Sequence, residues 1–368
     1  MVRVLFVAAP FKRAFFAKMI QYFSTDIDPK IFSPSYPQVS RQIRAKKVHE
    51  KASDILFGDP AASETIVRFR PQVIYTDSPL YAWHLKLQSF IKKYSIPTIV
   101  HLRGDLWREF FGWLMRSPMR SRLLGSPVHF ESMFGVTSAD MITPICRWLQ
   151  REVQRRLPWK PSEVVYQGVD PSDFFPSRGL PLAHPAVAII QNHTVYEKTL
   201  GLLRFTRVVE KLPDVHFYIT SGEDVRQAYY QLVQASFSCF KNVHFLRGIG
   251  HPEGVRRLLT SADLYVLRSN LDCCPTTILE ASLMEKPVLG SRVGGIPEII
   301  SDGYTGWSIQ NENPDEWVNR IRMLTDNARL SRRLGAQGRR WVAETFGWAK
   351  IASRVEQLID ETAHGRFG

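Results

Sequence analysis

The chain is poor in cysteine, in long apolar runs and in acids. Four cysteines stand among 368 residues, at 146, 239, 273 and 274. They have no zinc or redox spacing, and the adjacent pair Cys273-Cys274 is a poor disulfide. A disulfide framework is therefore excluded, and free thiols in a reducing, cytoplasmic compartment are expected. No apolar run approaches the roughly 18 residues that a membrane span requires. The stretch before Lys12-Arg13 is too short for the apolar core of a signal peptide with its cleavage site. Internal repeats and low-complexity tracts are also missing. Acids number 35 against 48 Lys and Arg, a net charge of +13, of which residues 1–175 carry +10. Such a surface attracts anions without choosing among nucleic acid, acidic lipid and phosphorylated substrate. No aromatic-basic recognition motif accompanies the charge, so nucleic acid is not expected as a partner.

What is present is enough to fold. A hydrophobic share of 44% and an aromatic share of 12% allow sizeable cores, and the length suggests about two domains. Apolar strands are expected at 2–8, 72–76, 98–102, 141–143 and 164–166, with helices at 12–23 and 80–94. The basic segment before 70 is mixed, with helical patterning near 40–56 and 60–69. Prolines 158, 161, 171, 176, 181 and 185 then mark a connector. The alternation restarts with strands at 186–190, 216–220, 243–246, 264–267 and 287–289. Helices are expected near 197–211, 224–237 and 252–261, then one opened by Pro275, and more from 314 to the end. Short apolar strands alternating with helices imply parallel βαβ units covered on both faces. The expectation is an α/β protein of two doubly wound Rossmann-like domains facing across a cleft, with ligands beyond the carboxyl ends of the strands.

The stretch LDCCPTTILE at 271–280 carries the most chemistry. Asp272 precedes a short loop, Cys273-Cys274, and Pro275 suits a first helical position because no N–H is needed there. The free N–H groups that follow, at about Thr276 to Ile278, form an anion site strengthened by the helix dipole. Glu280 lies about one turn inside the same helix. N–H groups hold phosphate and carboxylates accept from hydroxyls, so the pattern suits a phosphorylated, hydroxyl-rich ligand. Other loops should reach the same edge. Gln191-Asn192-His193 follows one strand, and Lys198 comes soon after, where its ammonium can reach a diphosphate. Arg268-Ser269-Asn270-Leu271 delivers Asp272, and Gly294-Gly295 permits close backbone approach. Glu298 reads as a structural acid.

In this order the features resemble the family-4 retaining glycosyltransferases of the GT-B fold. The family carries an arginine and a lysine after the first strand of its second domain, then an acid-x7-acid motif, then a Gly-Gly-x-Pro-Glu loop. The corresponding residues are His193, Lys198, Asp272 with Glu280, and Gly294 to Glu298. Gly168-Val169-Asp170 with Phe175-Pro176 matches the exit from the first domain. Residues 340–351, with Phe346-Gly347-Trp348, resemble the final helix that crosses back. The resemblance covers most of 140–350. The chain departs from the pattern at His193, at Asp272 (one methylene shorter than the usual glutamate) and at Ala8-Ala9-Pro10-Phe11, where a glycine-rich turn is usual.

The resemblance implies an acceptor-side domain over 1–175, a donor domain over 176–345 and a returning helix over 346–368. It implies transfer of a sugar, with retention, from a UDP-, GDP- or ADP-sugar to a saccharide or lipid-linked hydroxyl, without cofactor or metal. Lys198 and Asp272 would be catalytic. His193, Lys198 and the N–H groups at Cys274, Thr276 and Thr277, around Pro275, would hold the diphosphate. Glu280 would bind the ribose, and Ser221, Gly222, Arg247 and Gly248 would frame the base. On the acceptor side the candidates are His101, Arg103 and Asp105. His101 and Arg103 alternate at a strand end and so share a face. A helix over 105–117 pairs a narrow polar stripe with Leu106, Trp107, Phe110, Phe111, Trp113, Leu114 and Met115. It reads either as buried in the domain or as a peripheral contact with the inner membrane face. The same fold also leaves room for a sugar-nucleotide epimerase or a noncatalytic nucleotide-sugar-binding relative.

Overall fold

The computed structural model describes residues 1–8, 13–32, 65, 68–77, 95–108, 127–191, 196–220, 227–310 and 312–366. Contacts divide the chain into two units, Met1–Tyr166 with Trp348–Gly368, and Gln167–Gly347. The strands are β1 (Val2–Val7), β2 (Ile27–Phe32), β3 (Val73–Thr76), β4 (Thr98–Leu102), β5 (Met141–Pro144), β6 (Ala186–Ile190), β7 (His216–Thr220), β8 (Val243–Leu246), β9 (Leu264–Leu267), β10 (Val288–Ser291) and β11 (Gly306–Ile309). The helices are α1 (Arg13–Ile20), α2 (Pro127–Ser138), α3 (Arg147–Arg156), α4 (Tyr196–Leu203), α5 (Thr206–Glu210), α6 (Gln227–Phe237), α7 (Glu253–Ser261), α8 (Thr276–Leu283), α9 (Pro314–Thr325), α10 (Ala328–Phe346) and α11 (Trp348–Ala363).

The first unit holds a parallel sheet in the order β2-β1-β3-β4-β5. Apart from exposed Arg3, β1 is apolar throughout because both faces of the sheet are covered. Val4 and Phe6 pack with Phe16, Met19 and Tyr75 on one side, while Leu5 and Val7 meet Ile74 and Ile96 on the other. α11 closes the first of these faces. Its buried residues Trp348, Ile351, Ala352, Val355, Leu358 and Ile359 recur at helical spacing and join that core. Each large apolar side chain buried in this way contributes about 1.5–3 kcal/mol.

Two expectations fail in this unit. β2 has no counterpart in the sequence reading, which leaves that region mixed, because IDPKIF carries Pro29 and an exposed Lys30. Its place at the sheet edge explains both, since an edge strand tolerates a proline that donates nothing to the ladder. The strand expected at 164–166 is instead a run of single contacts beside β5. Ile142 donates to Pro161, and Glu163 and Val165 donate to Ile142 and Pro144, with one bridge at Ser162.

The second unit holds a parallel sheet in the order β11-β10-β9-β6-β7-β8. Winding outward from β6 runs through β7 to β8, then returns to β9 and runs the other way. Its core gathers Val187, Ile189, Phe217, Ile219, Leu264 and Val266 from the strands with Leu202, Phe237, Trp317 and Leu334 from the helices, and Phe205. The single helix expected over 197–211 is broken between α4 and α5. Phe205 sits in the break, fully buried, with its ring 5.6 Å from Trp317 and 5.9 Å from Phe217. β11, which the sequence reading lacks, pairs with β10 at the far edge. The connector is not loose either. Val169 N–H donates to Phe346 O, Ser261 Oγ donates to Leu180 O, and Ala183 N–H donates to Tyr218 Oη. The chain therefore joins the second unit at Gln167 rather than at 176, and leaves it after Gly347 rather than after 345.

Candidate functional site

β6 and β9 are neighbours in the second sheet, and the winding reverses between them. Loops leaving such a pair part in opposite directions and open a crevice at the carboxyl edge. The described residues that follow β6 and β9 are held at that edge. α4 lies against the loop after β9 because Gly201 has no side chain. A Cβ there would stand 2.6 Å from Ser269 Cα and 2.7 Å from Arg268 O. Buried Arg268 donates from Nη1 to Gly201 O, and burial, with repulsion from Arg204, pulls its guanidinium down to about 10. Gln191 ties the other end of α4 by donating from Nε2 to Lys198 O.

With α4 fixed, Lys198 Nζ reaches 2.7 Å from Asp272 Oδ2. Asp272 is 8% exposed, and its Oδ1 accepts from Cys273 N–H at 3.0 Å. Its carbonyl accepts from Gly295 N–H at 3.0 Å. Gly294 packs behind it at φ +55, and a Cβ at that position would fall 2.0 Å from Asp272 O. The paired glycines thus serve the acid, as close backbone approach requires.

α8 begins one residue later than expected. Pro275, at φ −68 and ψ 115, is the capping residue rather than the first helical one. The N–H groups of Thr276 and Thr277 then open the helix without intrahelical acceptors, at the positive end of its dipole. Tyr265 Oη holds this turn to the sheet, 3.0 Å from Ile190 O and 2.7 Å from Thr277 Oγ1. Donating to the carbonyl, it accepts from the threonine hydroxyl. Complete burial pushes the Tyr265 phenol far above its ordinary range.

Glu280 lies one turn further on and is 4% exposed. Its Oε1 is 3.1 Å from His251 Nε2, and its Oε2 is buried without a partner among the described residues. The hydrogen bond to Glu280 raises the His251 pKa above the ordinary histidine value against the opposing effect of burial. His251 is absent from the sequence reading.

Not every expected residue joins this group. Arg247 turns to α6, where it donates to Gln234 Oε1 at 3.1 Å and lies over the Tyr230 ring at 5.3 Å. The neighbouring Gly248 turns the chain at φ +63 with open space where a Cβ would be. Cys274 is buried beside Asp272's loop. His193, Ser221 and Gly222 lie outside the described residues.

In the first unit, His101 and Arg103 do share a face, since both rest on Phe15. The His101 ring is stacked 6.1 Å from it, and the Arg103 guanidinium lies 4.7 Å over it. His101 is fully buried, with Nδ1 3.2 Å from Thr143 Oγ1. Asp105 has a structural task, because its Oδ1 accepts from Arg108 N–H at 3.1 Å where a helix begins. Trp107 is buried beneath the Arg156 guanidinium, 4.8 Å from the ring centre. The rest of the aromatic stripe, from Phe110 to Met115, lies outside the described residues. No helix among the described residues is long and apolar enough to cross a membrane. One Asp-x-Asp triplet, Asp26-Ile27-Asp28, escapes the sequence reading; it lies at the start of β2, at the amino edge of its sheet.

The family model described as glycosyl transferases group 1 matches residues 196–341, which contain Lys198, His251, Asp272 and Glu280. Among curated proteins, alpha-maltose-1-phosphate synthase of Mycolicibacterium smegmatis is 25% identical over 66% of this chain and 69% of its own length. N-acetyl-alpha-D-glucosaminyl L-malate synthase of Bacillus anthracis is 25% identical over 64% of each chain. Among solved structures, sucrose-phosphate synthase from Thermosynechococcus elongatus superposes with a TM-score of 0.74 at 16% identity, covering 98% of this chain and 99% of that one. Anabaena Alr3699/HepE in complex with UDP gives 0.70 at 14% identity, covering 98% and 100%. The two parallel α/β units have the GT-B fold, and residues 196–341 of the second match the group 1 glycosyltransferases.

Proposed function

We propose that this protein transfers a sugar from a nucleotide-diphosphate sugar to a hydroxyl acceptor, with retention and without a metal ion. The observation that carries the reading is the 2.7 Å pair of Lys198 and Asp272 beyond the carboxyl ends of β6 and β9. In the reaction the bond from the anomeric carbon to the diphosphate oxygen breaks, and a bond from that carbon to the acceptor oxygen forms. The acceptor's proton leaves with the departing diphosphate or to solvent. Negative charge grows on the diphosphate as the bond stretches. The Lys198 ammonium, the Thr276 and Thr277 N–H groups and the α8 dipole all act on that charge, and prearranged donors of this kind usually supply the largest catalytic effect. Asp272 would hold sugar hydroxyls on the other side and offset positive charge at the anomeric carbon. The sugar diphosphate would thus lie alongside an ion pair already held in place by Gly201, Gly294 and Gly295.

Glu280 would accept from the ribose, and the base would lie towards the loop that begins at Gly248. Of the acceptor-side candidates, Arg103 is the one proposed to meet the acceptor, because His101 is fully buried against Phe15 and Thr143. HepE in complex with UDP and with UDP-glucose makes uridine nucleotides the first probes. Relatives named for phosphorylated sugar products suggest a phosphorylated or saccharide acceptor to try first. The test is thermal stabilisation by UDP, GDP and ADP, followed by transfer assays with the corresponding sugars and proton NMR of the product anomer. An inverted product would refute retention, and activity lost to EDTA and restored by a divalent ion would refute metal independence.

A further inference from the structure

Glu280 is a buried carboxylate with unequal oxygens. Oε1 is 3.1 Å from His251 Nε2, whereas Oε2 is buried and has no partner among the described residues. Leaving a buried acceptor unsatisfied is expensive, more so when it carries charge. Oε2 therefore marks where a ligand donor belongs. The arrangement also says which oxygen stays behind. The His251 side chain is 60% exposed and comes from the loop before α7, while the Glu280 side chain is 6% exposed on α8. An exposed side chain from another element has thus been brought onto a buried acid. On the remaining sides, Phe174 stands 5.9 Å from the His251 ring, and Asp173 adds negative charge nearby.

We infer that His251 is a positioning residue for nucleotide binding: it holds Oε1 of Glu280 so that Oε2 is presented to a ribose hydroxyl of the donor. The inference rests on the proposed donor site but goes beyond it, because it assigns the orientation of the acid to a second residue and gives the site a dependence on pH. As an imidazolium, His251 also cancels the charge of Glu280 next to an anionic ligand. When the ring loses its proton, the hydrogen bond can persist, but the carboxylate then repels the diphosphate. The groups facing the ring are Glu280 and Asp173, both acids, so protonation is favoured above the ordinary histidine range. Donor affinity should therefore fall as pH rises from about 6.5 towards 8.5.

The experiment measures binding to the wild-type protein, H251A and H251Q by calorimetry between pH 6 and 8.5. The probes are UDP-glucose, GDP-mannose and ADP-glucose, whose diphosphates do not titrate in this window. For the sugar nucleotide that binds, H251A should weaken affinity about tenfold. H251Q, which keeps a donor, should recover most of it. The wild type should lose affinity several-fold across the window, while H251Q stays flat. The 2′,3′-dideoxy form of the nucleotide, which lacks the hydroxyls but keeps the diphosphate, should show a smaller gap between wild type and H251A, and that remaining gap should close as pH rises. Equal affinity of wild type and H251A for the full nucleotide overturns the inference and leaves the donor site standing. A pH response that persists in H251Q also overturns it. Failure of all three sugar nucleotides to bind wild type removes the donor site and this inference with it.

Discussion

Lys198 Nζ stands 2.7 Å from Asp272 Oδ2, joining the helix after β6 to the loop after β9. The two side chains are 27% and 9% exposed, so the pair is better shielded than a surface ion pair. Its place matters more than its strength. It spans the point where the second sheet reverses its winding, and both partners are held by glycines that admit no side chain.

Lys198→Ala is expected to lower kcat by about 100- to 1000-fold, as for loss of one prearranged donor to a developing oxyanion. Asp272→Asn should also lower kcat, with donor affinity less affected, because the amide keeps the shape and loses the charge. The two residues touch, so their effects should not add. Steady-state kinetics on both single variants and the double variant check this. Near-normal turnover in Lys198→Ala would remove the lysine from the diphosphate.

The strands of the second unit were legible because AVAII and LYVL are apolar on both faces, and their ends locate Lys198 and Asp272 directly. β2 was not, since Pro29 and Lys30 are edge features that look like loop. β11, GWSI, is short and opens on glycine. His251 gave no local signal, because its partner is on another element, 29 residues on. Arg247 turns to α6 for a reason the sequence did contain. Tyr230 and Gln234 are spaced i, i+4 on one face of α6, a ready seat for a guanidinium. The domain boundary was read from prolines, which mark a turning chain but not the unit it packs on.

Gly294→Ala tests whether the glycine pair serves the acid. A Cβ would collide with Asp272 O at 2.0 Å, and φ +55 disfavours any side chain. Relief requires the Asp272 loop to move. The expected result is a loss of about 1–3 kcal/mol in stability together with a fall in kcat. A variant with wild-type melting and wild-type kcat would show that the loop is not held from behind.

Asp105→Ala separates a cap from an acceptor contact. Asp105 Oδ1 accepts from Arg108 N–H at 3.1 Å, and the carboxylate also meets the Arg108 guanidinium at 3.7 Å. Loss of an N-cap costs about 1 kcal/mol. Chemical denaturation should register that change, and Asp105→Asn or Asp105→Ser should restore most of it. Acceptor KM should stay within about twofold in both rescued variants if the acid only caps. A raised acceptor KM in Asp105→Asn, with stability restored, would return Asp105 to the acceptor site.

The stability of the second unit should also report the His251–Glu280 pair. The His251 pKa is raised in the folded chain, first by the hydrogen bond to Glu280. A raised histidine binds its proton more tightly folded than unfolded. Its contribution is therefore complete below the unfolded value of about 6.5 and disappears as pH climbs through the folded value. The gap in melting temperature between wild type and His251→Gln should be widest near pH 5.5 and narrow steadily towards pH 8.5. Glutamine keeps a donor but cannot titrate, so what vanishes with pH is the charge and not the hydrogen bond. His244, whose pKa is lowered by burial, titrates in the opposite sense and is present in both proteins, so it cancels from the difference. A gap that stays constant from pH 5.5 to 8.5 would mean that His251 supports Glu280 through the hydrogen bond alone. A gap that widens with pH would mean that the ring is held neutral.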